Sequence, residues 1–331
     1  MKRSFLLTIV GGWVGLVATL VCGSTAAQKS AAQSWPTHPI RLVVTYPPGG
    51  GADIMARLLA PNMAETLGQP VVVENKAGAS GQIAAIDVAR SAPDGYTLML
   101  DASSYSVNPS LYEKLPYDPA KVFTPISVLA LFPQVLLVAP NFAPRDVMEL
   151  VALARSKPGE IAFASSGNGS AQHLAGELFR QKTGVVMIHV PYKGGAPALN
   201  DLMGGQVPMF FGNTPYSIAP VKAGRIRALA VTGAKRSAAL PDTPTMHEAG
   251  VPGCEVYEWN AVFAPAGTPA PVVARIAESI AKALATAEVR ERILSLGGEI
   301  VAYGPAESER FVREQAAQWG QVVRQGHIKP E

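Results

Sequence analysis

The sequence predicts an α/β protein whose two domains enclose a cleft. Three observations carry this: β-rich runs alternate with helix-length segments, glycine-rich turns recur where runs give way to helices, and two stretches suit crossings between domains. Strands are expected over residues 40–45, 71–74, 97–101, 161–165, 187–190, 208–211 and 226–232. Such alternation implies mostly parallel sheets. Val147, Leu150, Val151 and Ala154 share one helical face, as do Val312, Ala316, Trp319 and Val323 nearer the end, so both segments should bury a stripe. Pro61 falls inside the first helix, where its missing amide and its ring favour a bend after Arg57.

The candidate crossings are residues 128–140, interrupted by Pro133, and 258–269, where Trp259-Asn260 leads into a Pro- and Gly-rich run. A chain leaving near 133 and returning near 259 gives one domain from residues 34–133 and 259–331 and another from 134–258. Two connections between them would enclose a cleft.

Residues 1–27 stand apart from this fold. Lys2 and Arg3 precede an apolar run from Phe5 to Cys22, and Ser24-Thr25-Ala26-Ala27 supplies small residues for cleavage after Ala27, the pattern of a secretory signal peptide. The competing readings are a membrane anchor and a lipidated Cys22. Gly11, Gly12 and Gly15 interrupt the run against the first, and Leu20-Val21 lacks the small residue wanted by the second.

Of 331 residues, 48% are hydrophobic and 16% charged, which suits a globular protein large enough for two cores. Losing Lys2 and Arg3 takes the 28 basic residues to 26, against 25 acidic ones. The mature chain therefore lacks the basic surplus that drives binding to nucleic acid or anionic membrane. Cys254 alone remains of the cysteines, most simply as a buried thiol.

The turn Tyr46-Pro47-Pro48-Gly49-Gly50-Gly51-Ala52-Asp53 joins a strand to a helix. Unpaired amides at a helix start and the peptide dipoles favour an anion there, and glycine lets it approach the backbone. Residues 74–81, with Gly78, Ala79, Ser80 and Gly81, form a second such turn. Ser165-Ser166-Gly167-Asn168-Gly169-Ser170, before His173, forms a third. Ligands of open α/β sheets bind at these strand ends, so the three turns are expected to meet at the cleft. A fourth loop, residues 189–197, carries Tyr192 and Lys193, which suit either an acidic ligand or plain packing and solvation. His173 lines the third turn or packs as a helical histidine. Asp53 orients the first loop or pairs with Arg57 one turn on.

Catalytic patterns do not fit. After Gly167 and Gly169 a dinucleotide fingerprint needs glycine where Gln172 stands, and after Gly49 and Gly51 it needs glycine at Ile54. The chain lacks the Walker Gly-Lys-Ser/Thr, and Gly78-Ala79-Ser80-Gly81 is one residue short of the hydrolase elbow. His38, His173, His189, His247 and His327 are scattered without metal-ligand spacing. Neither a metal nor a cofactor is expected.

Several stretches together resemble the Bug family, the TctC-like solute receptors of tripartite tricarboxylate transport systems. They are Pro48 to Asp53, Glu74 to Gly81, Pro93-Asp94-Gly95-Tyr96-Thr97-Leu98, His189 to Gly195, Leu240 to Thr245 with Glu248-Ala249-Gly250, and Ala264 to Pro269. The resemblance implies a type II periplasmic binding-protein fold, two α/β domains joined by crossover strands that close on a small organic carboxylate. It implies a monomeric, non-catalytic periplasmic receptor that hands its ligand to inner-membrane transporter subunits. A sensor subunit of a signalling system, or an α/β hydrolase using the same anion site, are the alternatives. Carried over residue by residue, the ligand set is Gly49, Gly50, Gly51 and Asp53 from the first loop and Ala79, Ser80 and Gly81 from the second. Ser103 and Ser104 follow the third strand, and Ser166, Asn168, Gly169, Ser170, His173 and Tyr192 come from the other domain. Departures from the family pattern are Ala77, where proline is common, Ser80, where glycine is common, and Pro208, where an acidic residue is.

Overall fold

The computed structural model describes residues 35–330, so the signal peptide expected over residues 1–27 lies outside the described residues. Strands β1 (Ile40–Val44), β2 (Val71–Asn75) and β3 (Thr97–Ala102) make one parallel flank. Strands β5 (Ala162–Ser165), β6 (Ile188–Pro191) and β7 (Met209–Asn213) make the other. Between them run the long β4 (Phe123–Val138) and β9 (Tyr257–Pro265), with β8 (Arg227–Val231) and β10 (Glu299–Ile300) also paired to β4. The path across the sheet is β2-β1-β3-β9-β4-β7-β5-β6.

Parallel pairing of strands, expected to predominate, is confined to the flanks. Strand β9 returns in the sense opposite to β4, so the pairings made by these two strands are all antiparallel. β4 pairs with β9 as far as Pro133 and with β7 from Gln134. Proline has no amide to give to a ladder, so a change of partner is least costly there.

The helices are α1 (Gly51–Leu67), α2 (Gln82–Ala89), α3 (Ser104–Leu111), α4 (Pro119–Val122), α5 (Val147–Ser156), α6 (Ala171–Thr183), α7 (Gly195–Met203), α8 (Thr214–Lys222), α9 (Ala270–Ala285), α10 (Ala287–Ser295) and α11 (Pro305–Gln325). α1 runs through Pro61 and stops at Gly68, whose left-handed backbone (φ 73°) lets its amide reach the Ala64 carbonyl. The stripe Val147, Leu150, Val151 and Ala154 is buried as the spacing requires.

Strand alternation sorts the cores. In β4, Leu136 and Val138 join Phe163, Leu174 and Phe211 on one face, while Val135 and Leu137 join Leu202, Phe210 and Val231 on the other. Around the first flank, Leu42 and Val44 pack on Met55, Leu59 and Ile280, and Val43 packs with Met99, Trp259 and Phe263. The last turns of α11 add Trp319, Val322 and Val323 to the core around Phe163. Cys254 is a buried thiol, its pKa pushed up to about 12 by burial.

Candidate ligand-binding cleft

A cleft of about 270 Å³ opens where β1, β5 and β7 end and β9 begins, between the first glycine loop and the loop before α7. Tyr46 to Gly51 form one wall, and Ser166, Lys193 to Pro197, Asn213 and Tyr216 the other. Glu258 and Gln172 also line it.

Three helices beginning at the cleft lack a side-chain cap. Gly50 precedes α1, Gly194 precedes α7 and Asn213 precedes α8, and none supplies a capping hydrogen bond. Their first amides are the donors a helix leaves unpaired, except at Pro197 in α7 and Pro215 in α8, which have none, and their dipoles put partial positive charge at the same opening. α6 differs: the Ser170 hydroxyl accepts from the His173 amide and closes that helix start on itself.

Within the first loop the amides are not equivalent. The Gly49 amide donates to Asp53 Oδ2 at 2.9 Å, and the Gly50 amide points to the Pro47 carbonyl at 3.4 Å. The Gly51 amide, at the first position of α1, has no hydrogen-bond partner among the described residues. Asp53 is 3% exposed and its carboxylate turns into the loop, accepting also from Arg57 Nε at 3.0 Å and Asn75 Nδ2 at 2.9 Å. Burial pushes its pKa up, but the hydrogen bonds from Arg57, Gly49 and Asn75 outweigh it and hold the group below the usual carboxylate range. Across the cleft, a Cβ on Gly51 would stand 3.3 Å from Asn213 Nδ2. One on Gly195 would stand 2.5 Å from Tyr216 Oη, so the approach is tight at Gly51 and needs bare backbone at Gly195.

The second and third turns meet each other beside this cleft. The Ser80 hydroxyl lies 3.1 Å from Tyr112 Oη and donates to the Asn168 carbonyl at 3.4 Å, while Asn108 Nδ2 donates to the Ser80 carbonyl at 2.8 Å. Ala79 and Ser80 hold left-handed backbone (φ 47° and 52°), which costs a non-glycine residue about 1–2 kcal/mol. Gly81 sits over Thr45 and Asp101, and Gly169 against Leu111 and Val107.

Ser103 Oγ accepts from the Trp259 amide at 3.2 Å and stitches β3 to β9. Ser104 Oγ accepts from Tyr46 Oη at 3.0 Å and donates to Asp101 Oδ1 at 3.3 Å, where Thr45 Oγ1 also donates at 2.6 Å. Burial lifts the Asp101 carboxyl to about 6 despite these donors. Tyr192 Oη donates to Asp201 Oδ2 at 2.8 Å, and so turns from the cleft.

The His173 and His189 rings stack 3.7 Å apart, 4° from parallel. Nδ1 of His173 accepts from the Gly169 amide at 3.2 Å. Burial pulls His173 down to about 3 and His189 down to about 4, so both rings are neutral at physiological pH. Ser165 Oγ lies 2.6 Å from His189 Nε2, yet Ser165 is fully buried and also bonded to Gly167, so the pair is not presented to the cleft. Among the described residues, no group of three or more His, Cys, Asp or Glu side chains is placed to hold a metal ion.

Of the residues expected at the site, Gly49, Gly50, Gly51 and Ser166 line the cleft. Asp53, Ser103 and Ser104 support its walls from behind. Ala79, Ser80, Gly81, Asn168 and Gly169 form the neighbouring junction, Ser170 caps its own helix, His173 stacks on His189, and Tyr192 bonds Asp201. Gln172, Asn213, Tyr216 and Glu258 were not anticipated. Asn213 stands at a strand-to-helix junction like the others, but without a glycine-rich turn to announce it. Glu258 is a lone acid at the start of an apolar crossing strand, which is the signal that could have found it.

The model of the family described as "Tripartite tricarboxylate transporter family receptor" matches residues 55–328. Protein BugT of Bordetella pertussis is 37% identical over 331 residues, covering 99% of each chain. Among solved structures, R. palustris Rpa4515 with adipate is 39% identical at a TM-score of 0.85, covering 90% of this chain and 100% of that one. MatC (Rpa3494) from Rhodopseudomonas palustris with bound malate is 34% identical at a TM-score of 0.82, covering 87% and 100%.

Proposed function

Because this chain belongs to the tripartite tricarboxylate transporter receptor family, we propose that it captures a small organic carboxylate in the cleft between Gly51 and Gly195 and delivers it to inner-membrane transporter subunits. One observation carries the reading: uncapped starts of α1, α7 and α8 share one opening, so unpaired amides converge without any competing side-chain acceptor at the caps. An anion is the species such a place favours. A charge-assisted hydrogen bond contributes roughly 1.5–3 kcal/mol and micromolar affinity needs about 8 kcal/mol, so about four to six such bonds suffice after ordering costs. The adipate and malate bound to the two similar solved proteins support a carboxylate as the ligand class.

The receptor acts as a closing pair of units, residues 34–133 with 259–331 and residues 134–258. The partner change in β4 between Pro133 and Gln134 supports the division. Capture is binding without turnover. The amides of Gly51 and Gly195 meet the carboxylate, Gly49, Gly50 and Ser166 shape its seat, and Asp53 holds the first loop in register. The signal pattern before Ala27 supports export to the periplasm, where the mature chain works as a monomer.

The test is calorimetry and thermal shift on purified mature protein against a panel of organic acids, after removal of carried-over ligand by partial unfolding. Saturable binding of at least one acid is expected. Absence of binding by every acid, together with turnover of an ester or phosphate substrate, would replace the receptor reading with an enzymatic one.

A further inference from the structure

Glu258 lies at the first residues of β9, where the strand reaches the cleft. Along that face of β9 the alternate positions are Glu258, Asn260, Val262 and Ala264, with Val262 and Ala264 in the hydrophobic core and Glu258 lining the cleft. Glu258 is only 7% exposed. Gln172 Nε2 donates to its Oε2 at 3.0 Å and to Tyr216 Oη at 3.3 Å, which uses both amide hydrogens and fixes the Gln172 side chain. The other carboxylate oxygen of Glu258 has no hydrogen-bond partner among the described residues.

Positive charge is missing as well. Lys193 lines the same cleft but forms no ion pair with Glu258 among the described residues. The titratable groups that act on Glu258 or feel its charge are Asp101, Tyr46 and Tyr216, none of them cationic. A buried carboxylate without a cation is costly, and here burial, with Asp101 adding to it, holds the proton on Glu258 up to about pH 7. An acid kept half-satisfied on the wall of a cleft is worth having only where a ligand completes it.

We propose that Glu258 determines specificity in this cleft, selecting carboxylates that also bear an ammonium group, which docks on the oxygen Gln172 leaves free. The inference rests on the carboxylate reading of the same cleft. An ammonium brings both the missing charge and the missing donor. A hydroxyl brings the donor alone. A second carboxylate meets Glu258 only with a proton trapped between them, so it is the least favoured of the three. The two ends of the ligand are then read by opposite means, the carboxylate by the amides at Gly51 and Gly195 and the ammonium by a side-chain acid.

The experiment is calorimetry at neutral pH on the mature protein freed of carried-over ligand, with three matched sets of acids. These are succinate, malate and aspartate; glutarate, 2-hydroxyglutarate and glutamate; and 3-phenylpropionate, phenyllactate and phenylalanine. In whichever set binds, the amino acid should bind at least about tenfold tighter than its unsubstituted counterpart, equivalent to about 1.4 kcal/mol. Glu258→Gln should bring that preference within about threefold while the unsubstituted acid still binds. Glu258→Ser serves as a second variant should the glutamine protein fold poorly. Acids that bind without preference for the amino member, or a preference unchanged in both variants, would overturn the assignment of Glu258 and leave the carboxylate reading standing. No binding by any acid of the three sets or of the wider panel would remove both.

Discussion

The buried carboxylate of Asp53 accepts a hydrogen bond from the amide of Gly49 at 2.9 Å, so the first turn of α1 reaches back to hold the loop that precedes it. The same carboxylate binds Asn75, whose Nδ2 also donates to the Tyr46 carbonyl at 3.1 Å. The loop is thus tied at both ends to one acid, and its shape does not wait for a ligand. Asp53→Ala should destabilise the protein by about 2–3 kcal/mol, chiefly through the unpaired Asn75 and Gly49 groups, since Arg57 is half exposed and its pairing is discounted for solvent. Denaturant titration would measure this, and calorimetry should show weaker ligand binding because the loop loses the carboxylate that holds Gly49 and Asn75.

Gly50→Val separates the cleft from the fold. Gly50 has an ordinary extended backbone (φ −77°, ψ 168°), and an added Cβ meets only the Pro47 carbonyl at 3.4 Å. The side chain should be tolerated by the fold and should occupy the ligand's approach. The expected outcome is unfolding within about 1 kcal/mol of wild type, with affinity reduced by a factor of about 100 or more. Gly49, at φ 80°, would confound that comparison with backbone strain.

Gly195→Ala should damage both stability and binding. Its methyl would fall 2.5 Å from Tyr216 Oη and 2.6 Å from Cζ, forcing the tyrosine off its contact with Gln172. A loss of about 1–3 kcal/mol is expected from the overpacking, with weaker ligand binding by calorimetry. Unchanged affinity would detach the α7 start from the site.

Stability should respond to pH in two opposing ways. His173 and His189 titrate near 6.5 when unfolded but are held down to about 3 and about 4 by burial, so the unfolded chain takes up protons first. Their contribution is complete above about pH 6.5 and is lost as pH falls toward about 4 for His189 and about 3 for His173. Glu258 has the reverse sign. Its folded pKa of about 7 exceeds the ordinary 4.5, so its contribution is present below about pH 4.5 and is lost as pH rises through 7. Glu258→Gln should therefore gain on wild type between about pH 5 and 8 in urea titrations without ligand. A constant difference across that range would show that Glu258 ionises as an ordinary glutamate.

Much of the fold was legible because apolar β-rich runs such as residues 97–101 and 226–232 are bounded by clear turn residues, and because strand and helix periods differ. The antiparallel centre was not, since a run of residues such as 123–138 carries no mark of its partner's direction. The candidate site was legible where a glycine-rich turn announces it, at Gly49 to Gly51, whereas in the loop of residues 189–197 the sequence drew attention to Tyr192 and Lys193 rather than to Gly194-Gly195. It was obscure where a side chain's direction decides. Ser170 and Asn213 both precede helices, but Ser170 caps its own helix and Asn213 does not. Tyr192 stands beside the same loop, yet its hydroxyl goes to Asp201. Glu258 stands out in the sequence as a lone acid in an apolar strand, but its partner does not, since β9 brings it against Gln172 from α6, 86 residues away in the chain.

The central claim is that the uncapped helix starts around Gly51 hold an organic carboxylate. Its most direct test is calorimetric titration of ligand-free wild type and Gly50→Val with the acid that stabilises wild type most. Wild type should bind saturably with about micromolar strength, and the folded variant should lose that binding. Equal affinity in the two proteins would contradict it and place the ligand elsewhere.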